Sequence, residues 1–200
     1  MKRYKVSGLT LIVLLAGCTG LQAPKVANVH TYVLDAQPAI SERAIKRDQV
    51  IAVSMPTSRS GFDTPRMAYR QQPLELDYFA THQWADTPAH MLQPLLVQAL
   101  EPAFRAVVKA PGMIPADLKL DTDIIRLQQN FITHPDTIEL KVRAQLTDVK
   151  NSRIIATRIF ETTESTRSAD AYGGVIAANL ALQRILTQLT EFCLDVTAIP

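Results

Sequence analysis

The chain has 200 residues and a mass of 22.1 kDa, enough for one domain of ordinary size. Its 47% hydrophobic and 20% charged content is that of a chain with a core and excludes intrinsic disorder as its main character. Three of the 21 basic residues, Lys2, Arg3 and Lys5, fall in the first 17 positions, leaving 18 against 19 acidic residues, so the basic pI belongs to the N-terminus and nucleic acid is not an expected partner.

Residues 1–18 read MKRYKVSGLTLIVLLAGC. A basic start, a mostly apolar run from Val6 to Leu15 and the small pair Ala16-Gly17 make a secretory signal. The run is shorter than the ~20 residues that span a bilayer. Leu15-Ala16-Gly17-Cys18 resembles the lipobox of bacterial lipoproteins. It implies cleavage before Cys18, a diacylglycerol on the Cys18 thiol and acylation of the new amine. Several acyl chains make an essentially permanent anchor, at ~0.8 kcal/mol per buried CH₂. Thr19, rather than Asp, follows the cysteine, which by the common sorting rule implies the periplasmic face of the outer membrane. The expected organisation is a signal peptide over 1–17, a lipidated N-terminus and tether over 18–30, and one domain over 31–200.

The domain reads as strands with two helices. Thr31–Asp35 is a short strand, and Gln49–Ser54 is a β-branched run closed by Pro56. Arg66–Arg70 and Leu74–Phe79, separated by Gln-Gln-Pro, predict a hairpin. Pro88 to about Glu101 is a helix, with Thr87 as cap, Pro88 at its first position and an apolar stripe through Leu92, Leu95, Leu96, Ala99 and Leu100. Pro94 inside it predicts a kink or a late start.

Leu118–Leu127 is a strand whose alternation slips near Ile124-Ile125, the mark of a bulge. Thr137–Thr147 alternates strictly, with Ile138, Leu140, Val142, Ala144 and Leu146 on one face and polar residues on the other. Lys150-Asn151-Ser152 turns it into Arg153–Thr162, a long hairpin. A second helix spans about Asp170 to Val196, with Ala178, Leu182, Ile185, Leu189, Phe192 and Val196 on the core side. Gly173-Gly174 predict a close approach to a strand or partner. The expected fold is α/β: a two-layer domain with a mixed β-sheet and two main helices packed on one face, leaving the other sheet face available to a partner.

Chemistry-bearing patterns are sparse. No phosphate loop, dinucleotide fingerprint, nucleophile elbow or zincin motif occurs. His30, His82, His90 and His134 have no tight metal-ligand spacing; His82 and His90, flanking Trp84 and Asp86, read as surface or cap histidines sooner than as a metal site, and Asp121 and Asp123 could bind a cation but more simply mark a solvated strand face. Cys193 lies on the apolar side of the second helix, as a buried thiol. The expectation is no enzyme, no cofactor and no metal.

The order of features from residue 31 onward is similar to that of the ABC-type transport auxiliary lipoprotein family. The residues that carry this are Tyr32-Val33-Leu34, Val50 to Pro56, Phe62-Asp63-Thr64-Pro65-Arg66-Met67-Ala68-Tyr69-Arg70, Leu74–Tyr78 leading to His82-Gln83-Trp84-Ala85, and Met91-Leu92 to Leu100-Glu101. Phe104 to Val108, Ala116 to Leu120 and the closing Ala169-to-Leu186 helix complete the series. Pro94 and Ser58-Arg59-Ser60-Gly61 depart from the pattern.

The resemblance implies an outer-membrane lipoprotein that accompanies an inner-membrane ABC permease and an MCE-domain periplasmic protein in phospholipid transport, without catalytic residues. Its task would be to dock the periplasmic machinery at the outer membrane. Candidate partner residues are Arg59 and Phe62, in the long loop Pro56–Pro65, and Trp84, either a hot-spot anchor or a side chain packed under the first helix. A structural lipoprotein of lipopolysaccharide or outer-membrane biogenesis is the alternative with the same leader.

Overall fold

The computed structural model describes residues 27–37 and 46–198, so the signal segment, Cys18 and most of the tether lie outside the described residues. The elements run β1 (His30–Tyr32), β2 (Arg47–Val53), β3 (Thr57–Ser58), β4 (Arg66–Arg70), β5 (Asp77–Trp84), α1 (Pro88–Leu100), β6 (Phe104–Lys109), β7 (Leu118–Asn130), β8 (Thr137–Asp148), β9 (Arg153–Ser165) and α2 (Ala171–Val196).

All nine described strands join one mixed sheet built around β7. On one side of β7 runs β8, antiparallel from Leu118↔Asp148 to Asn130↔Thr137, and β8 pairs in turn with β9. Along its other side β2, β3 and β4 follow one another in parallel: Ile51 pairs with Leu118, Thr57 with Asp123, Ala68 with Gln128. The sheet then forks, to β6 beyond β2 and to β5 and β1 beyond β4. Two helices on a mixed sheet is the expected α/β architecture.

The strict alternation of β8 works as read: Ile138, Leu140, Val142, Ala144 and Leu146 are all buried against the helices. Its register with β7 shifts between Ile124 and Arg126, so the bulge falls where the alternation slipped. Both helices start on side-chain caps. Thr87 precedes α1, its Oγ1 accepting from the His90 N–H at 3.4 Å, and Asp170 Oδ1 accepts from the Gly173 N–H at 2.7 Å ahead of α2.

Four details differ from the sequence reading. Helix α1 begins at Pro88 and continues through Pro94. Pro94 is exposed, as is His90 one turn back, so the carbonyl that loses its N–H partner has access to water. The hairpin strand expected from Leu74 begins at Asp77, because Glu75 Oε2 accepts from the N–H groups of Gln71 and Gln72 and folds this stretch into the turn; Leu74, at φ 66°, is fully exposed. The strand then runs on to Trp84. Strands β3 and β6 were not expected; both depend on pairing with distant strands.

Candidate functional site

A broad concave feature lies beside the N-terminal half of α2. Tyr172, Val175, Ile176, Asn179, Leu180 and Gln183 recur at helical spacing and form one face of that helix. It is a different face from the one packed on the sheet, which carries Ala178, Ala181, Leu182, Ile185 and Leu189. Opposite it runs the extended segment after β1. Asn179 fastens this segment: its Oδ1 accepts from the Asp35 N–H at 2.7 Å, and its Nδ2 donates to the Val33 carbonyl at 3.4 Å. Leu34 and Ala36 plug into the core, which turns Val33, Asp35 and Gln37 outward. Between segment and helix lies a groove of about 560 Å³, open to solvent, walled chiefly by apolar side chains.

Three of its wall residues, Val33, Tyr172 and Leu180, are 55%, 59% and 40% exposed. Tyr32 closes one end. Its hydroxyl lies 3.0 Å from His82 Nδ1, its ring stacks on the His82 ring, and Tyr172 lies beyond it at 6.1 Å between ring centres. From His82 the aromatic contacts continue through Phe79 to Tyr69 and Phe131. Asp170, at the start of α2, is held below the usual carboxylate range, first by the Gly173 N–H and next by the Ser168 hydroxyl.

Gly173-Gly174 make the close approach foreseen from sequence. A Cβ on Gly174 would collide with the buried Gln129 side chain of β7, and one on Gly173 with Ser168. This brings the first turn of α2 against the Gln129 side chain of β7, whose Nε2 donates to the Asp170 carbonyl at 3.2 Å.

The residues singled out from sequence do not meet here. Arg59 is exposed and Phe62 half-buried, in a turn where the Phe62 N–H donates to the Arg59 carbonyl at 2.9 Å. That turn is pinned: the Arg59 N–H donates to Ile124 O and the Tyr78 hydroxyl to Gly61 O, both at 2.9 Å. Trp84 is 3% exposed and belongs to the core, and its backbone N–H donates to Pro65 O at 2.7 Å. The assignment of Trp84 to a partner surface is therefore corrected: the indole packs inward and presents nothing to a partner. Sequence reading also missed the groove. Its signal was Tyr172, Ile176 and Leu180 at i, i+4, i+8, a second apolar stripe on a helix already supplied with one.

The two aspartates singled out on β7 are matched locally. Asp121 accepts from Ser54 Oγ at 2.7 Å and pairs with Lys119 at 3.0 Å, while Asp123 accepts from Thr57 Oγ1 at 2.9 Å. His90 pairs with Asp86 at 3.1 Å, remote in contact from the His82 cluster. Burial pushes the Cys193 thiol up to about 12. Among the described residues, no three His, Cys, Asp or Glu side chains converge, and no helix is long and apolar enough to cross a membrane.

The model of the ABC-type transport auxiliary lipoprotein component matches residues 32–190. The chain belongs to the ABC-type transport auxiliary lipoprotein family. The pinned turn and every described groove residue but Thr31 fall inside the matched span. An uncharacterized protein of Bradyrhizobium diazoefficiens, bll6063, is 28% identical to this family member over 174 residues, 86% of the chain. The chain spans about half the length of that relative, 46%. Among solved structures, protein XCC0632 from Xanthomonas campestris superposes with a TM-score of 0.77 at 22% identity, over 84% of this chain and 96% of its own. The hypothetical protein CT253 from Chlamydia trachomatis superposes at 0.52 with 12% identity, over 76% and 99%. At these identities the likeness is one of fold.

Proposed function

We propose that the chain is a lipoprotein anchored through Cys18 to the periplasmic face of the outer membrane. There it serves, without catalysis, as the docking subunit of an ABC transport system that moves phospholipid with an MCE-domain protein. The observation that carries this reading is the family match across residues 32–190, joined to the lipobox ending in Cys18. The turn with exposed Arg59 and half-buried Phe62 is the proposed contact for the partner, since a pinned loop loses little entropy on docking.

Two experiments test it. Cys18→Ser should block processing and remove the protein from the outer-membrane fraction; normal processing would sink the anchor. Crosslinking in the native envelope should recover MCE and permease components, with Arg59→Ala and Phe62→Ala lowering recovery at unchanged Tm. Capture of lipopolysaccharide-assembly proteins instead would turn the reading to outer-membrane biogenesis.

A further inference from the structure

We infer that the groove between α2 and the Thr31–Gln37 segment holds one acyl chain of a bilayer phospholipid. This rests on the lipidated-anchor reading above. Two properties of the chain select that occupant.

The first is reach. Ala27, where the described structure starts, is nine residues beyond Cys18. At 3.3–3.6 Å per residue those nine span at most about 32 Å. The groove wall begins only four residues later, at Thr31. A lipidated Cys18 therefore keeps this end of the domain within reach of the bilayer surface, where phospholipid is the most abundant apolar material.

The second is the chemistry of the wall. Val33, Tyr172, Ile176 and Leu180 offer aliphatic and aromatic carbon, and among the described residues lining the groove Asp35 alone is charged. No Lys or Arg stands among the described wall residues, so these offer a phosphate no charged partner. It suits a hydrocarbon chain whose headgroup stays in water. Its volume, about 560 Å³, lies within the range of roughly 300–1,000 Å³ typical of small-molecule sites. The polar hollow on the sheet, lined by Lys119, Asp121, Asp123 and Arg143 and about 240 Å³ in volume, lacks such a wall. A groove formed by one helix and a separately anchored strand segment accepts a chain along its length and leaves its mouth open for release.

The test uses the mature lipidated protein, reconstituted in vesicles of phosphatidylethanolamine and phosphatidylglycerol. A benzophenone side chain is placed in turn at Leu180, at Val29 and at Gln188, and the irradiated protein is weighed intact. Val29 is exposed near the tether but does not line the groove; Gln188 is exposed further along α2. The expected result is a several-fold larger yield at Leu180 of protein carrying the added mass of one whole phospholipid. Val33→Asp should reduce that yield several-fold without moving Tm. Equal yield at Val29 would mean mere proximity to the bilayer and overturn the inference. So would a crosslink to the protein's own N-terminal acyl group, a crosslink to protein only, or a yield indifferent to Val33→Asp. The same spectrum reports whether Cys18 carries its acyl chains. An unmodified Cys18 removes the anchor reading and this inference together, whereas a lipidated Cys18 with no phospholipid adduct removes only the inference.

Discussion

Two surfaces that the described residues leave uncovered differ in kind. The sheet face turned away from the helices is broad, but its charges are spent on one another. Glu139 accepts from Arg70, from Gln128 Nε2 at 3.0 Å and from Asn130 Nδ2 at 3.1 Å, with Arg126 at 3.5 Å. Glu161 pairs with Lys141 at 2.7 Å. The groove beside α2 is small, yet its exposed surface is chiefly carbon and nothing among the described residues covers it. Lack of cover alone therefore does not mark a docking surface. A face that satisfies itself is content in water, whereas an apolar notch gains from whatever fills it.

Four measurements sharpen or break this contrast. The largest effect belongs to the core that both surfaces stand on. Leu186 is fully buried on the sheet side of α2, and Leu186→Ala should cost about 2–5 kcal/mol in denaturant unfolding. A loss below that range would mean the helix is held mainly by something other than its sheet-facing stripe. On the charged face, Glu139→Ala strips partners from two arginines and two amides. It should cost about 1–3 kcal/mol, because Glu139 itself is only 15% exposed. A cost near zero would show the network to be ornamental, and the distinction between the two surfaces would weaken.

At the head of the groove helix, Asp170→Ala removes the cap and should cost about 1 kcal/mol near neutral pH. Asp170 is held below its ordinary value in the folded state, so its contribution is complete above the unfolded value of about 3.9. That contribution fades as pH falls through the lower folded value, and the unfolding curves of wild type and variant should draw together in acid. Curves that stay apart would assign the cost to packing instead. The smallest stability effects are expected in the groove itself. Val33→Asp and Leu180→Asp should each stay within about 0.5 kcal/mol of wild type. Both should nevertheless reduce binding of a hydrophobic fluorescent dye to the native protein, while Lys141→Ala on the charged face leaves that signal unchanged. Dye binding insensitive to all three would place the apolar surface elsewhere.

How far the sequence reaches follows from the range of the forces involved. The helix limits, the β8–β9 hairpin with its turn, the bulge near Ile125 and the close approach at Gly173-Gly174 were all legible, since caps, periodicity and missing side chains act within a few residues. The family was legible too, from the order of short motifs along the chain. Three things were decided only by tertiary structure. Strands β3 and β6 exist because β7 and β2 offer them unpaired backbone groups, a fact stored far away in the sequence. Trp84 had two readings of equal chemistry, and only the packing of its neighbours chose the core. The groove needs both the second stripe of α2 and a segment some 140 residues earlier, joined by Asn179 to the Val33 and Asp35 backbone. No local pattern encodes that meeting, because the free energy that makes it is gained only once the whole core has formed.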